Sequence, residues 1–203
     1  MVKAGTAALV VSGLVLLAAC GQKQQSAPQE KEEAPTLHQS MRLVMEAGAE
    51  TIWDLSSKAY NDVGDGLDAA KLSDDDWKKI AEASQAMKER AQLLTNSDFI
   101  KNIVVAAPGE QILGAQAAGV KGNIGPEWDA ASAEQIKARI EANPALFAQK
   151  AQDLVDHADA MHRAAATKDA ALLYKASSEL DEVCDACHEP FWGTDEPPPF
   201  PKS

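Results

Sequence analysis

Two cysteines and a histidine near the C-terminus form the cluster with the clearest chemical meaning, in the run Cys184-Asp185-Ala186-Cys187-His188. Thiols about one helical turn apart can each form a thioether to the edge of a haem. A histidine directly after the second thiol lies where its ring nitrogen can reach the iron. The motif therefore predicts one covalently attached haem c, bound through Cys184 and Cys187, with His188 as an axial ligand of the iron.

Two other interpretations of this motif fit the chain less well. A structural zinc site needs about four ligands, and neither a second C-x-x-C nor an H-x-x-x-H accompanies this one. A thioredoxin-type dithiol opens a helix inside a βαβ unit, whereas this motif closes a helical pattern in a chain without strand signals. We therefore follow the haem interpretation.

The third cysteine, Cys20, follows a short hydrophobic leader. Lys3 precedes an apolar run over residues 7–19, which is typical of a secretory signal and too short for a stable membrane span. The residues LAAC that end at Cys20, followed by Gly21, resemble a bacterial lipobox, in which the cysteine is lipidated and becomes the mature N-terminus. We expect a lipoprotein signal peptide over residues 1–19 and a lipid on Cys20. A plain secretory signal cleaved nearby is the alternative.

Composition divides the rest of the chain into a linker, a domain and a tail. Residues 20–36 combine the lipidated cysteine with a polar stretch rich in Gln, Glu, Lys and Pro, which is typical of a flexible tether. The haem domain is predicted over residues 37–194. Residues 195–203 hold four prolines and are expected to be extended.

Hydrophobic periodicity predicts four main helices in this domain. They are expected at about 37–60, from Ser73 or Asp74 onward, at 144–166 and at 170–189. A shorter helix is expected from a capping box at Ser132 to about residue 142, and residues 95–131 are expected to form a long, irregular connection with one short helix. The residues expected to face inward are Leu37, Met41, Val44, Met45, Gly48, Ile52, Leu55 and Ala59 in the first helix; Trp77, Ile80, Ser84, Met87, Ala91 and Leu94 in the second; Phe147, Ala151, Leu154, Ala158, Met161 and Ala165 in the third; and Leu173, Ala176, Leu180, Val183 and Cys187 in the fourth.

The overall composition excludes two classes of protein. The chain of 203 residues is 45% hydrophobic and 25% charged, which fits neither a multi-span membrane protein nor a wholly disordered chain. Its formal net charge of −12 offers no basic surface for the phosphates of a nucleic acid. We therefore expect no nucleic-acid partner.

Four amphipathic helices with a single C-x-x-C-H on the last one resemble the cytochrome c′ family, over about residues 37–192. The resemblance implies an all-α, antiparallel four-helix bundle in which Cys184 and Cys187 carry the haem and His188 is the proximal ligand. In that family an aromatic and a basic residue commonly follow the histidine by three and four positions. Here Phe191 keeps the aromatic residue, but Trp192 replaces the basic one.

The first helix departs from the family pattern as well. Family members carry a first-helix arginine that meets a haem propionate, typically one turn before the distal residue. Arg42 directly follows Met41 and is out of that register, so we expect it to pair with Glu46 instead. The connection over residues 95–131 is also longer than is usual in the family.

The resemblance places the distal side of the haem at the first helix, where several residues could be the sixth ligand of the iron. Met41 and Met45 lie one turn apart on the apolar face, and His38 precedes Met41 by three residues. Met41 is the predicted sixth ligand. The stretch from Met41 to Trp53 resembles exported haem-bundle proteins that carry a Met and a Trp at this separation. The alternatives are Met45, His38 and an iron with no distal protein ligand.

Two functions follow from these alternatives. With His and Met axial ligands, the protein is expected to be a one-electron carrier without enzymatic activity, anchored by lipid on the periplasmic side of the cell envelope, with the outer membrane favoured by Gly21. Its partners are expected to be redox proteins of the envelope. With an open sixth position it would bind NO or CO, for gas binding or detoxification. Family members often form dimers through their first helices, and a homodimer is one of the states that the sequence allows.

Overall fold

The computed structural model describes residues 35–110 and 131–192, and each regular element in these two ranges is a helix. The predicted signal peptide, Cys20, the linker up to residue 34, residues 111–130 of the long connection, and the tail lie outside the described residues. The elements are α1 (Leu37–Ser40), a π-helical turn (Met41–Glu46), α2 (Ala47–Lys58), a 3-10 turn (Ala69–Lys71), α3 (Asp74–Leu94), α4 (Ser97–Lys101), α5 (Ala133–Ala142), α6 (Pro144–Thr167), α7 (Ala170–Ser178) and α8 (Leu180–Trp192).

These helices form the predicted all-α, antiparallel bundle. α1, the π turn and α2 run on without a break as the first member, α3 and α6 are the second and third, and α7 with α8 forms the fourth. α3 packs along α6, α2 packs on α3, and both α7 and α8 pack on α6. The ring of four closes where α2 meets α7.

Helix starts agree with the capping signals in the sequence. Ser73 caps α3 and Ser132 caps α5, each in a reciprocal capping box with the residue three positions later. The carboxylate of Asp169 accepts a hydrogen bond from the Leu172 backbone N–H and caps α7. α6 begins at Pro144, as predicted, and the side chain of the preceding Asn143 makes no capping hydrogen bond.

The buried faces follow the predicted stripes with a few corrections. All six residues predicted for α3 are buried. In α6, however, Val155 is buried and Leu154 is only partly buried. The two residues stand about 100° apart on either side of the same stripe, so periodicity alone does not choose between them.

The first helix departs from ideal geometry at Met41–Glu46, where the backbone forms a π turn that the sequence analysis did not predict. A π turn holds more residues than an α turn, so it shifts the side chains after it out of the 3.6-residue register. Met45 is accordingly buried, whereas Met41 and Val44 are only partly buried. The helix ends at Lys58, two residues earlier than predicted.

The fourth helix was predicted to be continuous but is interrupted at Glu179. The hydroxyls of Ser177 and Ser178 donate hydrogen bonds to the carbonyls of Tyr174 and Lys175. Such bonds compete with the backbone pattern of a helix, which accounts for a break at this point. α8 then continues to Trp192, with Pro190 near its end, rather than stopping at residue 189.

The segment after α4 lies against the start of the first helix. The backbone N–H groups of Leu37 and His38 donate to the carbonyls of Val104 and Val105, each at 2.8 Å. Ile103 and Val105 are buried. The described part of the long connection is therefore anchored to the same end of the bundle as Met41.

Candidate functional site

The C-x-x-C-H motif lies in the middle of α8, on a helix that packs against α5 and α6. Cys184 and Cys187 are one turn apart, and both are partly buried against the hydrophobic core. Neither thiol is in a disulfide. The fold therefore presents two free sulfurs on neighbouring turns of one helix, as two thioether bonds to one haem edge require.

Both cysteines are thiols rather than thiolates at neutral pH. Burial raises the pKa of Cys184 to about 12, and the negative charge of Asp181 adds to the effect. Burial also raises the pKa of Cys187 to about 11, against the opposing positive charge of Lys150. A catalytic dithiol needs a lowered thiol pKa, so this environment argues against the thioredoxin-type interpretation.

The side chain of His188 is partly buried beside Trp192, with 5.5 Å between the ring centroids. Burial lowers the pKa of His188, and the nearby charge of Asp185 offsets this only in part. The ring is therefore a neutral imidazole with a free electron pair, which is the form that binds a metal. Its donor chemistry fits the proximal ligand of a haem iron.

The C-terminal end of α8 is fixed by aromatic packing and by contacts with α5. Phe191 is buried and meets Phe147 edge to face, at 5.3 Å between centroids. The Arg139 guanidinium donates to the Phe191 carbonyl at 3.2 Å. Trp192 stands where the resemblance predicted a basic residue, and here the cation of Arg139 in α5 lies close to that position.

On the first helix, His38 has a partner that the sequence analysis missed. Its Nδ1 lies 2.8 Å from Oε1 of Glu110, and Oε2 of the same carboxylate accepts from the Ala107 N–H at 2.8 Å. The two residues are 72 positions apart, and no local pattern marks such a pair. Arg42 forms the predicted ion pair with Glu46.

The two remaining histidines have structural contacts with neighbouring helices. His157 Nε2 is hydrogen-bonded to the carbonyl of Ala176 in α7, at 2.5 Å. His162 Nδ1 is hydrogen-bonded to the carbonyl of Ala81 in α3, at 3.0 Å. Although the two are five residues apart in α6, they reach different helices. Among residues 35–110 and 131–192, no three His, Cys, Asp or Glu side chains are grouped so that they could hold a metal ion.

The chemistry of α8 agrees with a comparison to known protein families. Residues 111–192 match the family model of cytochrome c′. The match covers about two fifths of the chain, includes the C-x-x-C-H motif and begins after the first helix. The likeness is to a family of haem proteins with covalently bound haem c, and it rests on residues 111–192 alone.

No curated protein and no solved structure matches the chain significantly. In the described ranges, no helix is both long enough and apolar enough to cross a membrane.

Proposed function

We propose that this protein is a one-electron carrier of the cell envelope, with one haem c between its first and last helices. The observation that carries the proposal is the state of Cys184, Cys187 and His188, which offer two neutral thiols and one neutral imidazole on a single partly buried helix. The haem supplies the reversible change between Fe(III) and Fe(II). The chain holds it, shields it from water and sets its axial ligands.

Contacts between the helices support a haem in this position. The first and fourth members approach each other where α2 meets α7. Toward the motif, α8 packs chiefly on α5 and α6, whereas the π turn packs chiefly on α3. The elements that carry His188 and Met41 thus have different main neighbours, which is consistent with a planar group between them.

The register between the first and last helices supports Met41 as the sixth ligand. Trp53 Nε1 donates to the carbonyl of Ser177. His188 follows Ser177 by eleven residues, which is at most about 16 Å along the fourth helix because the helix is interrupted at Glu179. Because the two helices are antiparallel, the matching level on the first helix lies eleven residues before Trp53. That residue is Arg42, directly beside Met41. The π turn packs more residues into each turn, which moves the matching level further toward Met41 and away from Met45.

Absorption spectra of the holoprotein and two methionine variants test the carrier function. Wild type should be low-spin, with a weak far-red band in the ferric state from Met–iron charge transfer. Met41→Ala should abolish that band, lower the midpoint potential and let CO bind the ferrous iron, because the thioether ligand favours Fe(II). Met45→Ala is the matched control and should keep the band. A wild-type ferrous protein that is high-spin and binds CO at once would favour the gas binder instead.

We also propose that Cys20 is lipidated and that the linker up to residue 36 holds the domain at the periplasmic face of the envelope, with the outer membrane favoured. A diacylglyceryl group together with an amide-linked chain would satisfy the need for more than one signal in stable anchoring. Labelling cells with an alkyne fatty acid should mark wild type but not Cys20→Ser. An unmodified mature N-terminus at another residue would overturn the anchor without touching the haem proposal.

A further inference from the structure

Two side chains from different helices reach the end of α7. His157 Nε2 of α6 lies 2.5 Å from the carbonyl oxygen of Ala176, and Trp53 Nε1 of α2 lies 3.0 Å from that of Ser177. Because a carbonyl only accepts, His157 Nε2 carries a proton and donates it. The two donors meet adjacent residues just before the break at Glu179. We call residues 176–179 the joint of the fourth helix.

The two carbonyls at the joint need donors from outside the helix. Ala176 and Ser177 are among the last four residues of α7, whose carbonyls lie too near the end to find partners further along the same helix. In a continuous helix they would accept from backbone N–H groups four residues on, beyond the break. Both residues are buried, and a buried carbonyl without a donor costs stability. The side chains of His157 and Trp53 therefore allow the helix to end inside the bundle.

The break separates the haem motif from the rest of the fourth helix. α8 begins at Leu180 and has Asp181 and Glu182 in its first turn, where negative charge suits a helix N-terminus. All of the C-x-x-C-H motif lies within α8. The angle between α7 and α8 is therefore not set by a continuous helical backbone, and it depends on how the joint is held.

His157 connects the joint to the helix on which α8 packs. It lies in α6, and both α7 and α8 pack on α6. Trp53 attaches the same joint to α2. We infer that His157 is a positioning residue that, together with Trp53, fixes the joint and so sets the direction of α8. The inference rests on the proposed function, in which that direction determines whether His188 and Met41 can bind one iron.

Hydrogen exchange of the holoprotein tests this role with a matched pair of variants. His162 also lies in α6 and is also hydrogen-bonded to a backbone carbonyl, but that carbonyl belongs to Ala81, inside the unbroken helix α3. His157→Leu should speed amide exchange in α8 by about 5- to 30-fold, the effect of one buried carbonyl left without its donor. His162→Leu should leave exchange in α8 unchanged. His157→Gln should restore most of the protection, because its amide nitrogen can donate to the same carbonyl.

Spectra and redox titrations separate positioning from a general loss of stability. Both leucine variants should unfold at lower urea concentration than wild type. Only His157→Leu should also weaken the far-red Met–iron band and lower the midpoint potential, because the thioether bond favours Fe(II). His157→Gln should keep both close to their wild-type values.

Two results would overturn the assignment. One is that exchange in α8 and the midpoint potential change no more in His157→Leu than in His162→Leu. The other is that His157→Gln behaves like His157→Leu. If His157→Leu does not assemble, His157→Asn takes its place because its amide is shorter by one methylene group, and values equal to those of His157→Gln then count against the role. A wild-type protein without covalent haem would refute the proposed function, while the exchange measurements on that chain would still decide whether His157 holds α8.

Discussion

The indole Nε1 of Trp53 donates a hydrogen bond to the carbonyl of Ser177 at 3.0 Å, across 124 positions of sequence. It joins the first helix to the last at the point where α2 meets α7. This hydrogen bond satisfies the Ser177 carbonyl, which lies next to the break at Glu179 where the helical hydrogen bonding is interrupted. Under the proposed function, this contact sets the register between the helix that carries Met41 and the helix that carries His188.

Replacing Trp53 by Phe should therefore lower stability and loosen the register. The variant leaves the Ser177 carbonyl partly buried without its donor, so we expect a loss of about 1–2 kcal/mol in the free energy of unfolding. Urea denaturation of the holoprotein measures it. Trp77→Phe is the control for ring size, because Trp77 is buried in α3. Only Trp53→Phe should weaken the far-red Met–iron band, and equal effects of both variants on that band would contradict the register argument.

Local signals in the sequence were sufficient for much of the bundle. The six inward residues of α3, its start at Ser73 or Asp74, and the capping box at Ser132 were predicted, because caps and regular amphipathic stripes depend on neighbours within a few positions. The break at Glu179 was missed, since the pattern of Leu173, Ala176 and Leu180 continues across it. Two adjacent serines were the available signal.

Gly48 of α2 lies tightly against Met87 of α3. A Cβ at this position would lie 2.6 Å from Cγ and 2.7 Å from Sδ of Met87, which is itself 1% exposed. Alanine improves helix propensity by about 1 kcal/mol, but we expect the overpacking to outweigh this. Gly48→Ala should destabilise the protein by about 1–2 kcal/mol.

A double-mutant cycle isolates that contact. Met87→Ala alone should cost about 2–5 kcal/mol through the cavity that it leaves, while Gly48→Ala in the same background should be neutral or stabilising. If the two losses simply add, the steric explanation of Gly48 is wrong.

Covalent attachment can be checked one sulfur at a time. Cys184→Ala and Cys187→Ala should each retain haem through the remaining thioether, and the double variant should lose the haem mass under denaturing conditions. Cys20→Ser is the matched cysteine control and should keep it. Haem mass in the double variant, or its absence from wild type matured in a host that makes cytochromes c, would refute the assignment of the motif.

The parts of the site that the sequence did not reveal depend on distant contacts. His38 was one of several distal candidates, and its partner Glu110 belongs to a segment that was predicted only as irregular. The π turn at Met41–Glu46 likewise has no signature in the hydrophobic pattern. Both features depend on how two elements pack on the first helix: α3, and the segment that follows α4. They therefore follow from tertiary structure.

The cross-helix ion pair between Lys88 and Asp159 should make stability depend on acid pH. Lys88 Nζ lies 2.6 Å from Asp159 Oδ1, and Arg163 Nε lies 3.0 Å from Oδ2. The hydrogen bond from Lys88 lowers the pKa of Asp159 below its ordinary 3.8. A lowered carboxyl pKa contributes stability that is present above the ordinary value and lost as pH falls through the folded-state value. Asp159→Asn should therefore lose about 0.5 kcal/mol at pH 7, and this difference from wild type should vanish in strong acid. Asp156→Asn removes the same charge from an exposed position of α6, so an equal pH-dependent loss there would point to net charge rather than to the pair.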